Sequence, residues 1–386
     1  MKSKSNHQSP ARTYRVGIDA RLVYQTGVGV YIRNLILQLS RMHPEHIEFH
    51  IYARGKDIVK LKDQLSAPPK KCGFVFHITQ VSWHSFAEQI VFLLQLWRDH
   101  LDLMHFPYFS WPILYTRPFV ATVHDTILLT QATGKATTRW ILWYWIKHKI
   151  FRVVLSEQIR RALSIIVPSR TVAEEVVKFY PKIKHKIEVA YEGVDEDFKN
   201  AQPQVNARLE NTQYFLYVGN CYPHKNVDTL LAAFEKLSEH HPDVSLCLVG
   251  PQNAFSEHIR SWVFQNLLQR SILLLHNVPP AELMWLYSNA KALIFPSKAE
   301  GFGLPILEAA ICGCPLILSD IPVFHEVIGD QAQYFDLYDT EKLKKLMHLA
   351  LHETERKTYN LNPAFSFAQM SEEILHIYER GLKANG

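Results

Sequence analysis

Short apolar runs alternate with longer amphipathic ones along almost the whole chain. The runs at 14–18, 47–53, 74–78, 103–106, 119–123, 164–167 and 186–190 are short and read as buried strands. Between them, 30–41, 86–99, 140–155 and 171–179 read as helices, with Ser169 placed as the N-cap of the last. The pattern weakens into a polar stretch before residue 213 and then restarts. Strands are predicted at 214–218, 244–249, 272–275 and 292–295, and helices at 227–237, 256–268 and 281–288. Segments 316–319, 324–328 and 332–335 follow, and an amphipathic helix over 367–382 closes the chain. Such alternation predicts parallel sheets with helices on both faces. It occurs on both sides of the polar stretch, so the expected class is α/β, two doubly wound Rossmann-like domains. The boundaries expected are a disordered lead 1–13, a first domain 14–198, a linker 199–212, a second domain 213–362 and a final helix 363–386.

Composition narrows this picture only slightly. A chain of 386 residues with 47% hydrophobic content is long for one core, in keeping with two domains. The net charge of +5 is mild and fits a phosphate-bearing partner or an anionic surface. There is no dense Lys/Arg run, so nucleic acid is not an expected partner. The cysteines Cys72, Cys221, Cys247, Cys312 and Cys314 are odd in number and lack zinc-site spacing, as expected of free thiols in a reducing compartment. The polar N-terminus lacks the apolar region of a signal peptide, and no apolar run reaches the roughly 18 residues of a membrane span. A cytoplasmic location is therefore expected. Segment 140–155, WILWYWIKHKIFRVVL, is both aromatic and basic through Lys147, Lys149 and Arg152. It reads either as a helix at a membrane interface or as a core helix with snorkelling basic ends.

The stretch at 294–315, IFPSKAEGFGLPILEAAICGCP, carries the strongest chemistry. A strand leads into a loop with Glu300, Gly301, Phe302 and Gly303, and a helix begins near Leu304 and Pro305. The free N–H groups of that first turn, with the positive end of the helix dipole, suit an anion. Glu300 and Glu308 are expected to face one cleft at the carboxyl end of the strand, where open α/β sheets bind ligands. A carboxylate there accepts hydrogen bonds from sugar hydroxyls. Lys225 follows the first strand of the second domain and is placed to reach anionic oxygens at the same sheet edge. In the first domain, Gly27 and Gly29 are expected in a loop between strand and helix, as a tight turn or as a close backbone approach to a phosphate or substrate. His124 and Asp125 follow a buried strand, so His124 either faces the cleft or caps the strand end.

With these residues in view the chain resembles a family. Residues 277–336 resemble the retaining glycosyltransferases of the GT-B fold, in the large family 4 of nucleotide-sugar-dependent enzymes. The E-x7-E spacing of Glu300 and Glu308 carries the likeness together with Pro296-Ser297, Gly301-Phe302-Gly303, Pro305, Ala309, Gly313 and Pro315. Further matches are the GVG at 27–29, His124-Asp125, VPS at 167–169, EGVD at 192–195, YVGN…PHKN at 217–226 and FSF at 365–367. The resemblance implies two domains facing across a cleft, with the last helix crossing back onto the first. It implies that Glu300 contacts the donor sugar, that Glu308 holds the ribose, and that Phe302, Gly303 and Leu304 meet sugar or phosphates. Lys225 would neutralise the leaving diphosphate, and His124 would touch the donor sugar. The loop with His276 and Val278 would border the base, and Gly27 and Gly29 would admit the acceptor. Many members have an Arg after the glycine of the YVG strand; here that position is Asn220, which leaves more of the charge to Lys225 and the helix start.

The implied reaction is transfer of a hexose from a nucleotide diphosphate sugar, GDP-mannose ahead of a UDP-sugar, to a glycan or lipid-linked acceptor in surface-polysaccharide synthesis. No DxD-type motif stands at a strand end, so neither metal nor other cofactor is expected. Peripheral contact with the inner face of the membrane is the companion expectation. Two other classes are a catalytically silent GT-B subunit that binds a sugar nucleotide or a partner, and a GT-B epimerase. Loss of Glu300, Lys225 or His124 would favour the first, and all three are present. The second needs a different acid/base set around the leaving group.

Overall fold

A computed structural model describes residues 12–65, 73–130 and 141–385. Two parallel sheets organise them. The first contains β1 (Tyr14–Asp19), β2 (Ile47–Ala53), β3 (Phe74–Ile78), β4 (Leu103–Phe106), β5 (Phe119–Thr122), β6 (Ile165–Val167) and β7 (Ile187–Val189), in the order β3-β2-β1-β4-β5-β6-β7. The second contains β8 (Gln213–Val218), β9 (Val244–Val249), β10 (Ile272–Leu275), β11 (Leu293–Phe295), β12 (Leu316–Ser319) and β13 (Gln333–Phe335), in the order β10-β9-β8-β11-β12-β13. The central strands are buried on both faces, which is why their sequences are continuous apolar runs rather than alternating ones. Strand order reverses between β1 and β4 in one sheet and between β8 and β11 in the other. The loops leaving those strands splay apart there and open a crevice at the carboxyl edge.

Several elements differ from the sequence pattern. Gly27 and Gly29 lie not in a loop but in the first turn of the helix Thr26–Met42, where Gly29 N–H already donates to Gln25 O at 2.9 Å. A Cβ on Gly29 would meet Leu22 O at 2.7 Å, whereas one on Gly27 would meet nothing within 4 Å. Gly29 thus serves close packing of the helix start on the chain before it, and glycine content misleadingly mimicked a loop. The aromatic-basic helix runs over Ile141–Arg161, beyond its predicted end; Trp140 lies outside the described residues. Helices Gly55–Gln64 and Thr340–His352 escaped the pattern altogether. Segment 86–99 opens with a π-helical turn, Glu88–Phe92, before the helix Leu93–Arg98.

The final helix, Phe367–Asn385, packs on the first domain. Phe367, Met370, Ile374, Ile377, Tyr378 and Leu382 join the core formed by β1, β2 and the helix Thr26–Met42. Each fully buried side chain of this size contributes roughly 1.5–3 kcal/mol, enough to hold the chain's end across the domain boundary. Fully buried His105 of β4 bridges Tyr378 OH at 2.6 Å and Thr122 Oγ1 at 2.7 Å. Burial, then the nearby His124, holds its imidazole down to about 3, so it is neutral at pH 7 and serves as one donor and one acceptor.

Candidate active site

β11 ends at Phe295, and the chain turns through Pro296, buried Ser297 and half-buried Glu300 into the helix Leu304–Ile311. Gly303 is the N-cap, with φ 103° in the left-handed region, and Pro305 sits in the first turn. Across the reversal point, β8 leads through Asn220 to the 3-10 turn Pro223–Lys225. The two loops meet. Lys225 Nζ lies 2.5 Å from Glu300 Oε1, which also accepts from Ser297 Oγ at 2.6 Å. Both charged side chains are about nine-tenths covered, at 12% and 10% exposure, and the ammonium stands 5.4 Å from the Phe295 ring centroid. A pair this covered interacts far more strongly than one in water. An anionic ligand would compete with Glu300 for the same ammonium and free the carboxylate for hydroxyl groups.

The rest of the loop is fixed by packing. His224 is held down to about 4, by burial first and by Lys225 second, and is neutral at pH 7. Its carbonyl accepts from Lys298 N–H at 2.8 Å, which ties the Lys225 loop to the Glu300 loop. Asn220 Oδ1 accepts from Tyr222 N–H at 3.3 Å, and the Asn220 carbonyl accepts from Tyr217 OH. The Asn220 side chain therefore closes its own turn. At the ends of β9 and β10, His276 Nδ1 meets Gly250 O at 2.8 Å, and Val278 packs against the second core.

Glu308 lies on the helix Leu304–Ile311 that follows Glu300. Its Oε2 accepts from Tyr287 OH at 2.9 Å. Burial lifts the carboxyl to about 7, Tyr287 opposes the shift, and Asp195 adds to it. A carboxyl poised there can be ionised by any ligand that donates hydrogen bonds to it.

The first domain reaches this site by backbone as much as by side chain. A Cβ on Gly301 would lie 1.8 Å from His124 O, so any larger residue would force the two domains apart. Ser169 Oγ donates to Gly301 O at 2.7 Å while capping the helix Arg170–Phe179, as the sequence predicts. Glu326 completes this seam. Its carboxylate accepts from Arg170 N–H at 2.6 Å, Thr171 N–H at 2.8 Å and Thr171 Oγ1 at 2.6 Å. A carboxylate from one domain thus caps a helix of the other. Sequence reasoning missed Glu326, because a cap supplied 155 residues away leaves no local pattern.

The His124 ring has both nitrogens engaged within its own domain, Nδ1 with Glu192 Oε1 at 3.2 Å and Nε2 with Pro107 O at 2.9 Å. Tyr31 meets it edge-on at 4.8 Å. Asp125 Oδ1 accepts from Ile127 N–H at 2.9 Å. Its carboxyl is raised by burial, lowered by that bond and by His124, raised by Glu300 and lowered by Lys225. Gly27 and Gly29 stay with the helix Thr26–Met42. Phe302 is buried against Phe365 at 5.3 Å and supports the loop from beneath, and half-buried Leu304 packs against both domain cores. Among the described residues, no group of three or more His, Cys, Asp or Glu is arranged to hold a metal ion.

A sheet-edge cation paired with a carboxylate thus lies beside a helix start, in two doubly wound domains. Residues 25–198 match the family model Glycosyltransferase Family 4, and residues 198–361 match Glycosyl transferases group 1. Together they span most of the chain, which belongs to the two-domain glycosyltransferases these models describe. The O-antigen chain mannosyltransferase RfbU of Salmonella typhimurium is 33% identical over 223 residues, covering 56% of this chain and 60% of that protein. The serotype-specific mannosyltransferase WbdA of Escherichia coli is 32% identical over 247 residues, covering 58% of this chain and 30% of that protein. The chain thus spans less than two thirds of these curated relatives. Among solved structures, Anabaena HepE in complex with UDP and glucose superposes with a TM-score of 0.69 at 14% identity, covering 95% of this chain and 100% of that one. The fold is GT-B.

Proposed function

We propose that the chain is a retaining glycosyltransferase that moves a hexose, mannose first, from a nucleotide diphosphate sugar to a glycan or lipid-linked acceptor in surface-polysaccharide synthesis. The observation that carries this reading is the covered Lys225–Glu300 pair beside the Gly303–Leu304 helix start. Breaking a sugar–phosphate bond builds negative charge on the leaving diphosphate and positive charge at the anomeric carbon. Lys225 and the helix N–H groups offset the first, and Glu300 the second while it holds the sugar's hydroxyls. Glu308, relieved of its proton, takes the ribose hydroxyls. His276 and Val278 border the base. His124 and Asp125 supply the wall that faces the sugar. The acceptor attacks on the face that the diphosphate leaves, with no protein nucleophile and no metal or other cofactor. The mannosyltransferases RfbU and WbdA support GDP-mannose as the first donor to try, ahead of a UDP-sugar.

The site of action in this reading is the cytoplasmic side of a membrane, by peripheral contact. Among the described residues no helix is long and apolar enough to cross a membrane. Lys149, Ile150, Arg152 and Val153 are all exposed on the helix Ile141–Arg161, and apolar and basic groups together suit an anionic bilayer surface. Sedimentation with anionic liposomes checks this: neutralising Lys149 and Arg152 reduces the bound fraction, and unchanged partition counts against this helix.

The central experiment is a donor panel with mass-spectrometric detection of nucleoside diphosphate release, for wild type and Glu300→Ala. Turnover of one donor, lost in the variant with nucleotide binding retained, is the expected result. No turnover of any donor, with sugar-nucleotide binding unaffected by the substitution, would leave the chain a silent binding subunit.

A further inference from the structure

The proposed reaction uses the edges of β8, β11 and β5, but it leaves unexplained an aromatic group at the first domain's reversal point. Trp83 and His84 lie beyond the end of β3, and Tyr108 follows β4. Their rings form a tight cluster: Trp83–His84 at 4.9 Å, Trp83–Tyr108 at 5.9 Å, and His84 stacked on Tyr108 at 5.8 Å and 21°. They lie at the margin of the core, against which Tyr108 packs. Trp83 is 36% exposed, His84 is exposed, and Tyr108 is half-buried.

The cluster is held in place at a cost. His84 has φ 55°, in the left-handed region, where a side chain is strained by about 1 kcal/mol or more. Its N–H donates to Ser110 Oγ at 2.9 Å, and Ser110 Oγ in turn donates to Glu88. Buried Glu88 takes Arg21 Nη2 at 2.6 Å, and Arg21 is held by Asp19 at 2.6 and 2.8 Å. Three charged groups, each under 10% exposed, therefore end in one hydroxyl that pins the His84 backbone. Strain that a buried network over-determines accumulates where a side chain must be presented.

The cluster adjoins the donor side. Pro107, next to Tyr108, gives its carbonyl to His124, whose own carbonyl meets Gly301. The Tyr108 hydroxyl is pushed up to about 12, by burial first and then by Asp125 and by Tyr222 of the second domain. Tyr222 is 39% exposed and belongs to the Lys225 loop, its carbonyl accepting from Lys225 N–H at 2.8 Å. His84 is held below its ordinary range by burial and is uncharged at pH 7. The surface offered is thus aromatic and neutral, with the Trp83 ring set at 66° to His84 and 86° to Tyr108. Aromatic faces are electron-rich and attract the C–H groups on one side of a sugar ring.

We propose that Trp83, His84 and Tyr108 form a stacking platform for the pyranose rings of a neutral acceptor glycan. The proposal rests on the transferase reading for the direction of transfer, but not for the binding itself. Titration of the full chain with α-linked mannotriose, alone and with GDP or UDP, tests it by saturation-transfer NMR and calorimetry. Trp83→Ala and Tyr108→Ala weaken trisaccharide binding about tenfold or more, whereas Trp83→Phe, which keeps an aromatic face, stays within about threefold of wild type. Nucleotide affinity and thermal midpoint stay unchanged in Trp83→Phe and Trp83→Ala. Equal mannotriose affinity in wild type and Trp83→Ala overturns the proposal. So does wild type that binds neither mannotriose nor a glucose trisaccharide. Donor turnover without acceptor is measured in parallel, so loss of the transferase reading would be seen separately.

Discussion

The two sheet edges that face each other were built by different means. At the edge of β8 and β11, the charged groups sit on short loops, about nine-tenths covered, with their charges paired at 2.5 Å directly in the cleft. At the edge of β1 and β4, the charged groups are sunk below the surface, where Asp19 and Glu88 share Arg21, and the surface is left to aromatic rings. The same topology thus supplies opposite surfaces, one with charge within reach and one with its charge withdrawn. The buried charges on the first-domain side act on position, whereas those on the second-domain side are available to act on substrate.

Glu88→Ala breaks the first-domain arrangement most severely. It leaves the buried Arg21 guanidinium with Asp19 alone, a lost charged hydrogen bond that costs about 1.5–3 kcal/mol. Urea unfolding should show that loss, with nucleotide affinity preserved in whatever fraction remains folded. Glu300→Ala does the reverse. Turnover falls by about 10²–10³-fold, the cost of removing one charge-stabilising group. Steady-state kinetics beside calorimetric nucleotide titration separates the two effects.

Glu308 gives an effect of intermediate size. Its carboxyl is raised from 4.5 to about 7 by burial. The folded chain therefore keeps a proton that the unfolded chain releases above its ordinary range. The stability this site contributes is full below that range and is lost as pH rises through about 7. Nucleotide binding runs the other way, because the ionised carboxylate accepts ribose hydroxyls. Affinity for the nucleotide should rise up to about tenfold from pH 6 to 8, a dependence that Glu308→Gln flattens. Equal pH profiles for the two proteins would remove Glu308 from the ribose. The smallest effect belongs to the seam between the domains. Glu326→Gln weakens a helix cap by about 1 kcal/mol. Small-angle scattering should report a more open average with each domain's stability unchanged.

The second-domain site was largely legible because its parts are close in sequence. Glu300, Gly301, Gly303, Leu304 and Glu308 lie on one strand–loop–helix passage, and local spacing fixes which way they face. The first domain was less legible. Gly27 and Gly29 looked like a loop, yet a helix forms there because its first turn packs on the chain at Leu22. Helix Gly55–Gln64 was hidden by its mostly charged composition, and Thr340–His352 by its nearness to the domain's end. Arg21 and Glu88 gave no signal, since nothing in either neighbourhood names a partner 67 residues away.

By itself the sequence determined the alternation of strand and helix, the two sheets that follow from it, and the passage from Ile294 to Glu308. These depend on periodicity and on backbone constraints that act over a few residues. Tertiary structure alone decided that Lys225 pairs with Glu300, that Glu326 caps a helix of the other domain, and that Arg21 fixes His84 through Glu88 and Ser110. Each of these is a short-range polar contact between distant segments. Its energy depends on burial and on ångström-scale distance, and neither exists until the strands take their order in the sheets.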